Sequence, residues 1–553
     1  MKSLTDHWPA FAGAFVLMLA TTTLLAICIA NNNGTFVYAM DDAYIHMAVA
    51  RNLVRHGVWG VAPYEFSSCT SSILWPLMLA SSYSVTGVNE FAPFVLNLLA
   101  ATALVVYVSA LLKRHGIGPR ANALVLAALI ALTPLVTLIF CGMEHVLHTF
   151  LALMFASSAA RLLASGNEPS DTVNDPYDAV THDRRTERRY FIRLMVLAPL
   201  VTAVRFEGMF MLAVVVLLLA IKRRYRHAMI LGMVGLTPVL IFAAVSVGAG
   251  WYPLPNSVLI KGNRPDLASA AGIMRIMGGD GYHQLIAAPH IVMLVIAAMV
   301  LVLVRCWRDG TIWGERTMVL VIFLGTCLLH MEFARTGWFF RYEAYIVALG
   351  LVSLAIAGGE HIGSLVVRAR SRAQMVTASG LVLLLALPGI ERGTDAVTQI
   401  PDATTSTYEL HRTMGRFLAA YYEGSTVVAH DIGAISYYAD VRLLDLAGLA
   451  SLEVVNAKRK NIFTNRWVAD FAHRRHAAIA VAFPGAFEHW GNLPKEWIPV
   501  REWRGSVMNP IYGTTYIRFY AVDSSEAGHL AACLDAFSAS VPASVIQVRL
   551  VDP

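Results

Sequence analysis

Charge is scarce in this chain of 553 residues: Asp, Glu, Lys and Arg make up 14%, against 57% hydrophobic residues. A soluble globular domain carries a much larger charged share, which excludes a soluble enzyme as the whole of the molecule. Cysteine is scarce too. Cys28, Cys69, Cys141, Cys306, Cys327 and Cys533 stand at no CxxC or other metal-ligand spacing, so neither a zinc centre nor a disulfide framework is supported. The basic loops carry no G-x-G-x-x-G or P-loop motif to cradle a nucleotide, and the chain has no internal repeat. The formal net charge of +6 is spread in short basic clusters between apolar runs, an arrangement of membrane-topology signals rather than of a nucleic-acid surface.

Long apolar runs are what the chain does have. Crossing a bilayer takes ~20 apolar residues, and runs of about that order lie at 8–30, 91–112, 121–140, 145–163, 191–204, 209–221, 228–247, 291–304, 317–330, 342–357 and 375–388. They predict about eleven spans, the first retained rather than cleaved. The run 72–88 holds Trp75-Pro76 and several serines, and reads as an interfacial or re-entrant helix.

This count puts the clusters around Lys113, Arg184, Lys222, Arg305 and Arg368 on one side, which the positive-inside rule makes cytoplasmic. The segment 166–189 is a cytoplasmic connector. The other side receives 31–71, the turns at 141–144 and 205–208, the segments 248–290 and 332–341, and everything after about 390. Residues 391–553 are more polar and alternate β-rich runs at 426–429, 477–482, 515–522 and 544–550 with helical ones. The expected fold is therefore a mainly α polytopic membrane domain over 1–390, with an external first loop at 31–90. A small extracytoplasmic α/β or α+β domain follows over 391–553.

Nearly every unusual polar residue of the membrane part falls on that external face: Asp41, Asp42, His46, Glu144, His145, Arg205, Glu207, Asn256, Lys261, Glu332, Arg335, Arg341 and Glu343. A charge at membrane depth costs at least ~2.5 kcal/mol on insertion scales, so their convergence on one face points to a polar cavity open to it. In "AMDDAYIHM" two adjacent carboxylates can hold a divalent cation, with Asp42 as the ligand, or one can act as a base while its neighbour raises its pKa. The run from Asp42 to Arg55 reads as an amphipathic helix on the outer surface. Lys261, Arg335 and Arg341, with Tyr342 beside them, suit a lipid-linked phosphate, since a guanidinium binds phosphate oxygens in pairs.

Taken in order, "DDAYIHMAVARNL", "SSCTSSILWPLMLA", "CGMEHVLHTFL", "RFEGMFML", "LPNSVLIKG" and "RYEAYIVALG" resemble the motif series of the GT-C superfamily of integral-membrane glycosyltransferases. The pattern is similar to that of mycobacterial terminal arabinofuranosyltransferases and their bacterial relatives, and "DIGAISYYADVRLLDLAGL" resembles a segment of the same group. The chain departs from it at Ser68–Trp75 and at Arg205-Phe206-Glu207-Gly208. The resemblance implies a sugar donor on a polyprenyl phosphate, an acceptor glycan or glycolipid reached from outside, and a bacterial plasma membrane. It places the catalytic carboxylate on Asp41 or Asp42, with Asp41 as base and Asp42 orienting it or joining a cation. Sugar, acceptor and phosphate contacts then fall to His46, Glu144, Arg205, Glu207, Asn256, Lys261, Arg335, Arg341 and Tyr342, and Asp431 is either an acceptor contact or a strand-end cap. No other cofactor is implied. A transporter or flippase of lipid-linked sugars would need the same polar groups, but near the bilayer midplane and in repeated halves. A protein- or oligosaccharide-transferring enzyme of the same fold is not separated by these motifs.

Overall fold

A computed structural model describes residues 7–165, 176–261, 280–368, 386–484 and 493–550. Among them, six helices are long and apolar enough to cross a membrane: Trp8–Asn31, Ala92–Arg114, His145–Ala164, Tyr225–Gly248, Pro289–Asp309 and Glu315–Phe333. Pro119–Leu132, Gly208–Ile221 and Ala344–Gly359 are shorter apolar helices. The apolar half of Pro176–Val204 packs with them, burying Leu194, Leu197, Ala198 and Val201. Proline stands in the first turn at Pro9, Pro93, Pro119 and Pro289, where its missing N–H is not needed.

Three expectations change. The run 121–140 is not one span, because Pro134 separates Pro119–Leu132 from the short helix Leu135–Phe140, as a residue lacking an N–H and clashing with the preceding turn does. The connector 166–189 is already helical from Pro176, and its first ten residues lie outside those described. Of the run 375–388, only 386–388 is described, at the start of a helix over 386–398.

The basic helix ends gather at one end of the bundle. Glu315 binds Arg114 at 2.6 Å and Arg161 at 2.5 Å, Lys222 donates to the Leu163 carbonyl, and Arg224 donates to that of Leu162. The opposite end carries the helices Asp42–His56 and Leu74–Thr86 and the C-terminal domain.

That domain is built on a mixed six-stranded sheet of β1 (Thr426–Ala429), β2 (Arg442–Asp445), β3 (Ile479–Ala482), β4 (Ile498–Arg504), β5 (Tyr516–Ala521) and β6 (Ile546–Arg549). Their order is β2-β1-β3-β5-β4-β6, with β1 parallel to β2 and β3 and the other pairs antiparallel. Side chains alternate across the sheet. Val427 and Ile479 join Phe417, Trp503 and Phe519 on one face, and Val428 and Ala480 join Phe471, Trp497 and Tyr520 on the other.

The Asp42–His56 helix is not at the surface. Every residue from Asp42 to Asn52 is buried, because the short helix Gly433–Tyr438 of the sheet domain lies over it. Arg51 joins the two by donating to the Tyr437 carbonyl at 2.8 Å and to Asp440 at 2.5 Å. Gly57, left-handed at φ +68°, ends the helix.

Candidate active site

Four chain segments bring the polar residues together beneath the sheet domain. Asp42 opens its helix, Glu144 precedes His145–Ala164, Arg205 and Glu207 form the turn before Gly208–Ile221, and Arg341 and Tyr342 precede Ala344. Between them lies a cavity of about 270 Å³. Its lining combines the polar side chains of Asp42, His46, Ser71, Arg205, Glu207 and Arg341 with the apolar ones of Phe206, Met209, Phe210, Val258 and Phe333.

The charged side chains are arranged in pairs. Arg341 Nη2 donates to the Asp42 carboxylate, its Nη1 faces the Met143 sulfur, and its guanidinium stands 5.0 Å over the Tyr342 ring. Arg205, whose guanidinium lies 5.8 Å from the centre of the same ring, donates to Glu144 Oε1 at 2.7 Å and holds both Glu207 oxygens, at 2.5 and 3.1 Å. Burial would push the Glu207 carboxyl up, but Arg205 draws it down to about 2. Ser71 donates to Glu144 Oε1 at 2.9 Å, and His46 Nε2 lies 3.6 Å from the other oxygen. Burial pushes the His46 imidazole below its ordinary value, so this last contact is made by a neutral ring at pH 7.

Arg335 is exposed on the cavity wall and makes no ion pair among the described residues. Arg205, Arg335 and Arg341 match Asp42, Glu144 and Glu207 in number, and among the described residues the one of these cations without an ion pair, Arg335, is the exposed one. Among the described residues, no three His, Cys, Asp or Glu side chains are grouped to hold a metal ion, and Asp42 faces a guanidinium.

Asp41 does not line the cavity. It points into the sheet domain, where its two oxygens accept the amide hydrogens of Gly433 at 2.6 Å and Ala434 at 2.7 Å. A Cβ at position 433 would stand 2.0 Å from the Asp41 carbonyl oxygen, so only glycine fits. Burial raises the Asp41 carboxyl to about 6, with His411 pulling it down and Asp431 pushing it up. Asn256 also leaves the cavity, donating to the Gly448 carbonyl at 3.0 Å, while its neighbours Ser257 and Val258 reach it. Lys261 ends the same short helix, and its side chain lies outside the described ones.

A left-handed turn precedes Arg341. Gly337, Trp338, Phe339 and Phe340 have φ of +82°, +46°, +59° and +62° in succession, a conformation costing non-glycine residues roughly 1–2 kcal/mol each. Glu343 accepts the Gly337 amide at 2.7 Å and the Arg392 guanidinium at 2.7 Å, and Arg392 also donates to the Phe340 carbonyl at 2.6 Å.

Several of these participants were not expected. Ser71 had a weak signal in the run Ser67–Ser72, and Leu449, which brings the sheet domain to the cavity wall, had one in "DLAGL". His411 had none. It sits in a π-helical turn, Thr407–Arg412, and bonds Asp431 at 2.9 Å, while His430 approaches the other Asp431 oxygen at 3.2 Å. Asp431 is thus held by two histidines at the end of β1. Arg392 had only its place as the first cation after the last apolar run.

Comparison with solved structures bears on the fold. Apo ArnT from Cupriavidus metallidurans superposes with a TM-score of 0.51 at 14% identity, over 94% of this chain and 99% of that one. The apo oligosaccharyltransferase of Archaeoglobus fulgidus gives 0.50 at 13% identity, over 93% of this chain and 74% of that one. Cupriavidus ArnT bound to undecaprenyl phosphate gives 0.49 at 13%, over 92% and 98%. The chain therefore shares the overall fold of the first two of these structures, in line with the architecture its motif series implies. Residues 399–520 match the family described as "Domain of unknown function (DUF8728)", which covers most of the sheet domain. No curated protein sequence matches the chain.

Proposed function

We propose that this protein is a polytopic membrane glycosyltransferase that moves a sugar from a polyprenyl-phosphate donor to a cell-envelope glycan or glycolipid on the extracytoplasmic face. The observation that carries this reading is the Asp42–Arg341 pair, set in a cavity lined by both charged and apolar side chains. The apolar side chains suit the first isoprene units, and the arginines suit the phosphate.

Asp42, rather than Asp41, is the base. Both Asp41 oxygens are occupied by backbone amides away from the cavity, whereas Asp42 lines it. An arriving phosphodiester competes for Arg341 and frees Asp42 to accept the acceptor hydroxyl proton. The acceptor oxygen bonds to the anomeric carbon, and the bond from that carbon to the phosphate oxygen breaks. The departing lipid phosphate gains a second negative charge, which Arg341 and the exposed cation Arg335 neutralise. Because that charge grows only as the bond breaks, fixed cations favour the transition state over the bound donor. Glu144, held by Arg205 and Ser71 near His46, braces these polar lining residues from behind the cavity.

The test uses purified full-length protein, radiolabelled pentosyl and hexosyl polyprenyl phosphates and envelope glycan acceptors. Asp42→Asn is expected to lower transfer about 10²–10⁴-fold, the usual worth of a general base, with donor binding retained. Transfer by Asp42→Asn at the wild-type rate removes Asp42 as base, and lipid movement without a glycosylated product replaces the whole reading with a transporter.

A further inference from the structure

The left-handed turn before Arg341 is held from outside its own sequence. Arg392, 7% exposed, lies on the 386–398 helix that leads into the sheet domain. Its Nη1 donates to the Leu132 carbonyl at 3.0 Å, freed where Pro134 interrupts the helix, and its Nη2 donates to the Phe340 carbonyl at 2.6 Å. Nε and Nη2 both reach Glu343 Oε1, at 3.1 and 2.7 Å, while Glu343 Oε2 takes the Gly337 amide, and the guanidinium stands 5.5 Å over the Phe340 ring. Both ends of the turn are thus tied to one ion pair. Three consecutive aromatic residues with φ between +46° and +62° do not adopt that conformation unaided, and such strain persists only where its surroundings over-determine it.

We propose that Arg392 is a positioning residue: through Glu343 and the Phe340 carbonyl it holds the turn Gly337–Phe340 left-handed, and the turn sets Arg341 against Asp42. Without Arg392 the turn relaxes, and Arg341, the next residue, leaves the position from which it meets the donor phosphate. The effect on catalysis rests on the glycosyltransferase reading, whereas the strain and the clamp do not.

The experiment compares Arg392→Gln in three full-length backgrounds: wild type, Trp338→Gly and Trp338→Ala. Glycine takes a positive φ without penalty, so Trp338→Gly removes strain together with the ring, and Trp338→Ala removes the ring alone. In the wild-type and Trp338→Ala backgrounds Arg392→Gln is expected to lower kcat about tenfold with donor KM within about threefold, the pattern of a lost transition-state contact. In Trp338→Gly one of the three strained residues is relieved, the turn holds its shape better without the clamp, and the kcat loss shrinks to about threefold or less. The melting-temperature loss moves the other way, being larger in Trp338→Gly than in Trp338→Ala, because less strain is then released when the clamp goes. A merely structural role would move both quantities together. Equal kcat losses in the Trp338→Gly and Trp338→Ala backgrounds overturn the proposal. If the wild type transfers no sugar from any polyprenyl-phosphate donor, the functional reading ends. The melting temperatures then decide the clamp, and equal losses in the two backgrounds overturn it.

Discussion

Asp41 and Gly433, separated by 392 positions, are joined by a 2.6 Å hydrogen bond from the glycine amide to the carboxylate. The residue beside Asp42 is therefore an anchor for the sheet domain, one position away from the cavity lining.

Gly433→Ala should loosen that seating. The added methyl would stand 2.0 Å from the Asp41 carbonyl oxygen, and strain of this kind costs typically 1–3 kcal/mol. Thermal unfolding of the purified protein should show a melting point several degrees lower, with transfer reduced as well. A variant that melts with the wild type would show that the two segments do not meet as described.

Asp41 should leave a signature in the pH dependence of stability. Its carboxyl is raised to about 6 by burial, from an ordinary 3.8, so the folded state holds the proton more tightly than the unfolded chain. The stabilisation from this group is full below about pH 4 and is lost as pH rises through 6. The melting-point difference between wild type and Asp41→Asn should therefore shift against the wild type between pH 4 and 6.5 and then level off. A difference that is constant over that range would contradict the burial of the carboxyl.

Arg341→Lys keeps the charge but gives up the planar fork that meets Asp42 and stacks on Tyr342. Such an exchange is not conservative at a paired, stacked site. Transfer should fall about 10–100-fold, in the range of a lost charge-assisted contact in the transition state. Steady-state rates with a polyprenyl-phosphate donor measure it, and an unchanged kcat would take the phosphate role from Arg341.

Arg205→Ala would leave Glu144 and Glu207 facing each other without a cation. Breaking one side of a buried ion pair costs about 3–5 kcal/mol, enough to lower expression and the melting point together. Adding Glu144→Gln and Glu207→Gln should recover part of the stability but not the activity. Recovery of neither would place the loss elsewhere than in the uncompensated charge.

Leu449→Trp tests whether the sheet domain shapes the cavity. The larger ring would occupy part of about 270 Å³, and kcat/KM should drop for bulky substrates before small ones. A uniform effect on all substrates would mean that Leu449 is outside their path.

Much of this arrangement was legible in the sequence where the physics is local. Scarce charge and grouped basic ends mark the bundle and its two faces, and the β-branched runs at 426–429 and 515–522 mark β1 and β5 to within a residue or so. β4 was missed because Ile498–Arg504 carries a proline and three charges, and β2 because four residues give too short a pattern. Asp42, Glu144, Arg205 and Arg341 stood out because a charge beside a membrane span is costly enough to demand a reason. The roles within the pair Asp41 and Asp42 could not be assigned this way, since what separates them is a glycine amide far along the chain. Nor could the turn at Gly337–Phe340, because nothing local favours left-handed backbone in Trp-Phe-Phe.

The bond between Asp41 and Gly433 also bears on how the protein is made. Chains grow at about 5–20 residues per second, so roughly 20–80 s separate the synthesis of the carboxylate from that of the amide that receives it. Before then the helices from Trp8 to Phe333 have been made, but Asp41 lacks the two amides whose hydrogens its oxygens accept. A ribosome that stops before Gly433 leaves every arginine of the site made and the Asp41 carboxylate without the amides that hold it.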